Sequence, residues 1–60
     1  MSSKSKLRNA LNAIDDAKRA LQQARNDSGA NGEYQIRRAM RELDDAEQDI
    51  QRAIRELPEE

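Results

Sequence analysis

The heptapeptide NDSGANG (residues 26–32) divides the chain into two halves of similar pattern. It concentrates the residues that favour turns, and Gly29 suits the left-handed conformation that often follows a helix C-terminus. Asn31 is the predicted N-cap of a second helix, and Glu33 falls in its first turn, where a negative charge interacts favourably with the helix dipole. We therefore predict that the chain reverses direction at about residues 28–31.

Both halves carry the heptad pattern of an amphipathic helix. A large aliphatic residue recurs every seven positions (position a), and an alanine follows three residues after it (position d). The pattern predicts helices over about 5–27 and 32–57, the second of which is ended by Pro58, with frayed ends at 1–4 and 58–60. The predicted seam consists of Leu7, Ala10, Ile14, Ala17, Leu21, Ala24, Ile36, Ala39, Leu43, Ala46, Ile50 and Ala53.

The pairing of the two helices follows from the position of the turn. In an antiparallel hairpin that reverses near residue 30, facing residues have numbers that sum to about 60, so Leu7 faces Ala53 and Ile14 faces Ala46. Each pair places a large side chain opposite an alanine, and the helix axes can then approach to about 8 Å. We predict an all-α fold, an antiparallel two-helix hairpin with an alanine-rich coiled-coil seam, as one domain over residues 1–60.

The charges of the two halves favour the same pairing. Residues 1–28 contain six basic and three acidic side chains, and residues 29–60 contain five basic and nine acidic ones. A basic helix beside an acidic helix favours intramolecular docking, although each exposed ion pair contributes only tenths of a kcal/mol.

Three further apolar residues extend the seam to one side. Leu11, Met40 and Ile54 occupy position e of the heptad. Two helices cannot cover both sides of their large residues, and a chain of sixty residues usually needs additional support. We expect this strip to be an association surface through which two hairpins form a homodimeric four-helix bundle. The alternatives are a monomeric hairpin and a helix of another protein as the partner.

The composition excludes several functional classes. The chain contains no cysteine and no histidine, which removes disulfides, thiol nucleophiles, imidazole general bases and zinc fingers. A two-helix hairpin offers no obvious cleft that would perturb a carboxylate for catalysis. We therefore predict a small non-enzymatic protein-protein interaction module with no catalytic residues, no cofactor and no metal ligands.

Acidic residues form a belt across the middle of the predicted hairpin. Its members are Asp15, Asp16, Asp44, Asp45, Glu47 and Asp49. Clusters of carboxylate oxygens can hold calcium or magnesium. However, the two Asp-Asp doublets occupy outward heptad positions, and the chain has no loop resembling an EF-hand. We expect a solvated surface here, and the sequence leaves binding of a divalent cation open.

The arginine-rich half near the turn is the basis of an alternative function, an RNA- or DNA-binding regulator. The candidate phosphate contacts are Arg37, Arg38 and Arg41. Against this, Arg38 can pair with Glu42 and Arg41 with Asp45 at the four-residue spacing of a helix. Tyr34 is the sole aromatic residue, and we expect it to pack at the start of the second helix rather than to bind a ligand.

The sequence contains no feature that predicts a membrane or secretory location. The net charge is −1, and no apolar run approaches the roughly 18 residues of a membrane span. Residues 1–6 carry positive charge but are not followed by the hydrophobic core of a signal peptide. We therefore expect a cytoplasmic protein without membrane contact.

Overall fold

The computed structural model describes residues 2–58, which form two α-helices joined by a short turn. Helix α1 spans Ser3–Ser28 and helix α2 spans Glu33–Glu56. The helices pack against each other as a hairpin, and residues 2–58 contain no strand. The predicted all-α two-helix hairpin is confirmed. Of the ends predicted to fray, residues 3 and 4 belong to α1, whereas residues 1, 59 and 60 lie outside the described part of the chain.

A serine cap fixes the start of α1. The Oγ of Ser2 accepts a hydrogen bond from the backbone N–H of Ser5 at 3.1 Å. The backbone N–H of Lys6 donates to the carbonyl of Ser2, also at 3.1 Å. The first N–H groups of a helix have no partner within the helix, and a serine hydroxyl at the N-cap satisfies one of them. Consequently α1 begins two residues earlier than the heptad pattern predicts.

The turn corrects the prediction that Asn31 caps α2. The N-cap is Gly32, in the left-handed conformation with φ 72°, and no side chain caps this end. Asn31 instead lies within a turn, where its backbone N–H donates to the carbonyl of Ser28 at 3.2 Å. The carbonyl of Gly32 then accepts from the N–H of Ile36 at 3.0 Å. The turn therefore reaches one residue further than predicted, because the second glycine supplies the positive φ that directs the chain into α2.

Proline ends α2. Leu57 has the extended angles φ −76° and ψ 143°, and its N–H donates to the carbonyl of Ala53 at 3.0 Å. The ring of Pro58 disfavours helical angles in the residue that precedes it. The last helical residue is therefore Glu56, one residue earlier than predicted.

Ion pairs between the helices show how α1 and α2 are aligned along their axes. Lys18 Nζ lies 2.6 Å from Asp44 Oδ1, and Arg25 Nη2 lies 3.1 Å from Glu33 Oε1. The residue numbers of these pairs sum to 62 and 58, on either side of the value of 60 that the position of the turn predicts. In both pairs the cation comes from α1 and the anion from α2, as the charges of the two halves led us to expect.

The hairpin is too thin to contain a core. Its extents are 45 × 17 × 9 Å and its radius of gyration is 14.2 Å, whereas a compact domain of this length has a radius of about 10 Å. No residue in the range 2–58 is fully buried, and the ten large aliphatic side chains are all half-buried. Neither helix has a stretch that is long and apolar enough to cross a membrane.

Candidate interaction surfaces

The predicted seam is half-buried along most of its length. Eleven of its twelve residues are half-buried, and Ala24 is exposed. Ala24 is the last alanine of α1 before the turn. Between Ala24 and the turn, α1 contributes no further seam residue that would help to cover it. The covered part of the seam therefore stops short of the turn on the α1 side, which differs from the prediction.

One flank of the hairpin carries charges among the apolar residues of the predicted association surface. Leu11, Met40 and Ile54 are half-buried there. We call the row of e positions in both helices the e-flank. Its members, all half-buried, are Lys4, Leu11, Lys18, Arg25, Glu33, Met40, Glu47 and Ile54. The e-flank is therefore a mixed row of five charged and three apolar side chains, and the heptad count alone would have shown this had the charged e positions been included.

A lysine joins the two helices at the middle of the e-flank. Lys18 Nζ lies 2.6 Å from Asp44 Oδ1 and 3.9 Å from Glu47 Oε1. The hydrogen bond with Asp44 raises the pKa of Lys18 above its usual 10.5. Desolvation opposes this shift, and the nearby carboxylates of Asp44, Glu47 and Asp15 add to it. Lys18 is therefore held in its charged form by carboxylates from both helices.

The surroundings of Glu47 disfavour its ionised form, whereas the surroundings of Lys18 favour its charged form. A hydrogen bond with Asp15 raises the pKa of Glu47 above its usual 4.5, and desolvation raises it further. Lys18 lowers the pKa of Glu47, but the neighbouring carboxylates outweigh this effect. Two carboxylates that share a site favour a proton on one of them. The middle of the hairpin therefore contains a small cluster of interacting charged side chains, Asp15, Lys18, Asp44 and Glu47.

The acidic belt contains cations that the sequence reasoning did not place there. Lys18 reaches Asp44 from the other helix, and Arg19 Nη1 lies 3.0 Å from Asp16 Oδ1. Both basic residues follow the first acidic doublet in the chain, separated from it only by Ala17. Within residues 2–58, no group of three or more acidic side chains is arranged to hold a metal ion. The belt is thus a mixed network of charges rather than a purely acidic surface.

An open depression lies on the face of α2 that carries the arginines. Its volume is about 300 Å³, and its lining residues are Tyr34, Arg37, Arg38 and Arg41. These residues are spaced by three, four and seven positions from Tyr34, so they share one face of the helix. We call this set the tyrosine–arginine face. It brings together the three arginines proposed as nucleic-acid contacts with the one aromatic ring of the chain.

The side chains of the tyrosine–arginine face are exposed. Tyr34 is 72% exposed, so the prediction that it packs at the start of the second helix is wrong. Its position in the heptad points away from α1, which therefore supplies no surface to cover the ring. Arg37 Nη2 lies 3.3 Å from Glu33 Oε1, and Arg38 Nε lies 3.3 Å from Glu42 Oε1. The second of these pairs was predicted from the sequence.

Arg41 differs from its two neighbours. The predicted pairing of Arg41 with Asp45 does not occur, and in the described part of the chain Arg41 has no ion-pair partner. Its guanidinium is exposed to solvent. Arg41 is therefore the arginine of this face whose charge is least compensated within the hairpin.

We found no match between this chain and a protein-family model, a curated protein or a solved structure. Its function has to be inferred from its own side chains.

Proposed function

We propose that this chain is a non-catalytic helical self-association module, in which two hairpins pack their e-flanks together as a four-helix bundle. The observation that carries the proposal is that the hairpin alone fully buries none of the ten large aliphatic side chains in residues 2–58, and each remains partly exposed. Apolar surface that one molecule cannot cover is stabilised by a partner. A four-helix bundle is the usual arrangement in which amphipathic helices cover such surface.

The e-flank is the best candidate for the contact. It contains Leu11, Met40 and Ile54, three large apolar residues outside the seam. Completing the burial of a half-buried side chain of this size contributes about 1 kcal/mol. In a symmetric dimer each of these residues occurs twice, so both copies contribute.

Four charges of the e-flank, those of Lys18, Arg25, Glu33 and Glu47, are compatible with such a contact because they are paired within each hairpin. Lys18 lies against Asp44 and Glu47, and Arg25 lies 3.1 Å from Glu33. Moving a paired charge out of water still costs free energy, but far less than moving an isolated one. These pairs therefore limit the affinity of the dimer without preventing its formation.

The test compares two substitutions that add one negative charge to α2. Met40→Glu places the charge on the e-flank, and Gln48→Glu places it at an exposed outward position. Met40→Glu removes the apolar surface of Met40 from the interface in both copies, which costs about 2 kcal/mol. The affinity of the dimer should therefore fall at least roughly thirtyfold. Gln48→Glu should dimerise like the wild type. Sedimentation equilibrium gives the affinities, and circular dichroism shows whether each variant remains helical.

Two outcomes decide against the proposal. A wild-type hairpin that sediments as a monomer at its highest soluble concentration would exclude self-association, and a different protein would then be the candidate occupant of the e-flank. Equal weakening by both substitutions would place the contact elsewhere on the molecule. Met40→Gln, which is polar but uncharged, separates lost burial from electrostatic repulsion.

A further inference from the structure

We propose that the tyrosine–arginine face binds single-stranded nucleic acid, with an unpaired base stacked on Tyr34 and phosphates held by Arg37, Arg38 and Arg41. The inference does not rest on self-association, because a single hairpin carries the complete set of four residues. It rests on the placement of an exposed aromatic ring and three guanidinium groups around one depression.

Tyr34 is unusual among the apolar residues of the hairpin. It is the one large hydrophobic side chain in the range 2–58 that is exposed, at 72% of its surface. The large aliphatic residues of both helices lie in the seam or the e-flank, with Leu57 following α2 directly, and Tyr34 belongs to neither set. An exposed ring beside positive charge is the arrangement that single-strand binding proteins use for base stacking. The ring is therefore available to a ligand without any rearrangement of the hairpin.

The three arginines supply a local positive charge that the whole chain lacks. The net charge of the chain is −1, but no carboxylate of residues 2–58 lines the depression. Arg41 has no ion-pair partner among the described residues, and the other two arginines are each paired with one carboxylate at 3.3 Å. A guanidinium has five N–H donors, so Arg37 and Arg38 retain donors for a phosphate while these pairs persist.

The spacing of the face favours an unpaired strand over a duplex. Tyr34 and Arg41 are two helical turns apart, which is about 10 Å along the helix axis. A strand that follows this face can therefore place a base on the ring and phosphates beside the arginines. In a duplex the base faces are already stacked on one another, so the ring would have no free surface to contact. The arginines alone would then account for any binding, and Tyr34 would have no role.

Tyr34 provides a direct signal for the test because the chain contains no tryptophan and no other tyrosine. A short unstructured oligouridine should quench the fluorescence of Tyr34 as it binds, since the base stacks on the ring. Inorganic polyphosphate carries the charge without the bases, so it should compete for the arginines without producing the same quenching. A duplex RNA of equal length should bind more weakly than the single strand.

Substitutions on the face and away from it test the role of each group. Tyr34→Ala should weaken binding of the labelled oligouridine by about five- to 150-fold, as measured by fluorescence anisotropy. Tyr34→Phe keeps the ring and should bind like the wild type. Arg41→Gln should lower the salt dependence of log Kd by about 0.7, the value of one phosphate contact on a single strand. Arg52→Gln removes the same charge from an exposed position outside the depression and should change neither quantity.

The proposal is overturned if oligouridine does not bind at about 50 mM salt, where phosphate contacts are strong. It is also overturned if Tyr34→Ala binds as tightly as the wild type. An effect of Arg52→Gln as large as that of Arg41→Gln would show diffuse attraction without a site. Circular dichroism of each variant confirms that the helices remain, so a loss of binding is not a loss of fold.

Discussion

Both glycines of the turn have positive φ, but their backbone conformations differ. Gly32 is in the left-handed helical region with φ 72° and ψ 10°, which alanine and other L residues can adopt at a moderate cost. Gly29 has φ 63° and ψ −127°, close to the mirror image of the extended conformation, which L residues rarely adopt. Alanine should therefore be tolerated worse at position 29 than at position 32.

The structure allows the size of the difference to be worked out. A Cβ added at either glycine would meet no atom within 4 Å, so the cost is that of the backbone alone. That cost is roughly 1–2 kcal/mol in the left-handed region and toward the upper end of about 1–3 kcal/mol at Gly29. Alanine also restricts the unfolded chain, which offsets about 0.4–1 kcal/mol in both variants. We expect Gly29→Ala to lose about 2 kcal/mol of stability and Gly32→Ala less than about 1 kcal/mol.

Thermal unfolding followed by circular dichroism measures this difference, provided that all samples have the same protein concentration. A loss of about 2 kcal/mol corresponds to a decrease in Tm of roughly 8–16 °C in a domain of this size. D-alanine at position 29, introduced by chemical synthesis, is a matched control because a D residue prefers positive φ. It should leave the hairpin as stable as the wild type or slightly more stable.

Two results would refute this reasoning. One is a Gly29→Ala variant with the same Tm as the wild type, and the other is equal destabilisation by L-alanine and D-alanine at this position. Sedimentation velocity excludes a different explanation, in which alanine joins the helices into one long rod. A rod would have a clearly higher frictional ratio than the hairpin.

Further predictions concern two serines and one carboxylate. Ser2→Ala removes the hydrogen bond from the N–H of Ser5 and should destabilise the hairpin by about 1 kcal/mol in denaturant titrations. Ser28→Ala should instead stabilise the hairpin by about 1 kcal/mol, because the covered Oγ of Ser28 has no hydrogen-bond partner among the described residues. A loss of stability would show that this hydroxyl does form a hydrogen bond. The third prediction follows from the pKa of Glu47, which is raised above 4.5 mainly by the hydrogen bond with Asp15. The folded hairpin holds this proton more tightly than the unfolded chain, so the resulting stability is complete below pH 4.5 and is lost as the pH rises through the folded-state pKa. Glu47→Gln should therefore be more stable than the wild type at neutral pH and lose this advantage below pH 4.5; an advantage that does not depend on pH would contradict the assignment.

The sequence was sufficient to determine the architecture. Large residues and alanines at heptad spacing define one apolar stripe per helix, and a cluster of turn formers midway along the chain forces the stripes to face each other. The opposite net charges of the two halves were also sufficient to predict that cations of α1 pair with anions of α2, as Arg25 and Glu33 do. These features depend on the local pattern and on the position of the turn, both of which can be read along the chain.

Other features were decided only when the two helices came together. The long side chain of Lys18 reaches across to the carboxylates of Asp44 and Glu47 on the other helix. Which carboxylates lie within its reach depends on the axial offset between the two helices, and not on the spacing of residues within one helix. The same offset brings Asp15 to Glu47 and raises the pKa of Glu47. The end of the turn at Gly32 instead of Asn31 depends on the backbone angles needed to reverse the chain, and two adjacent turn formers in a sequence do not reveal which of them supplies those angles.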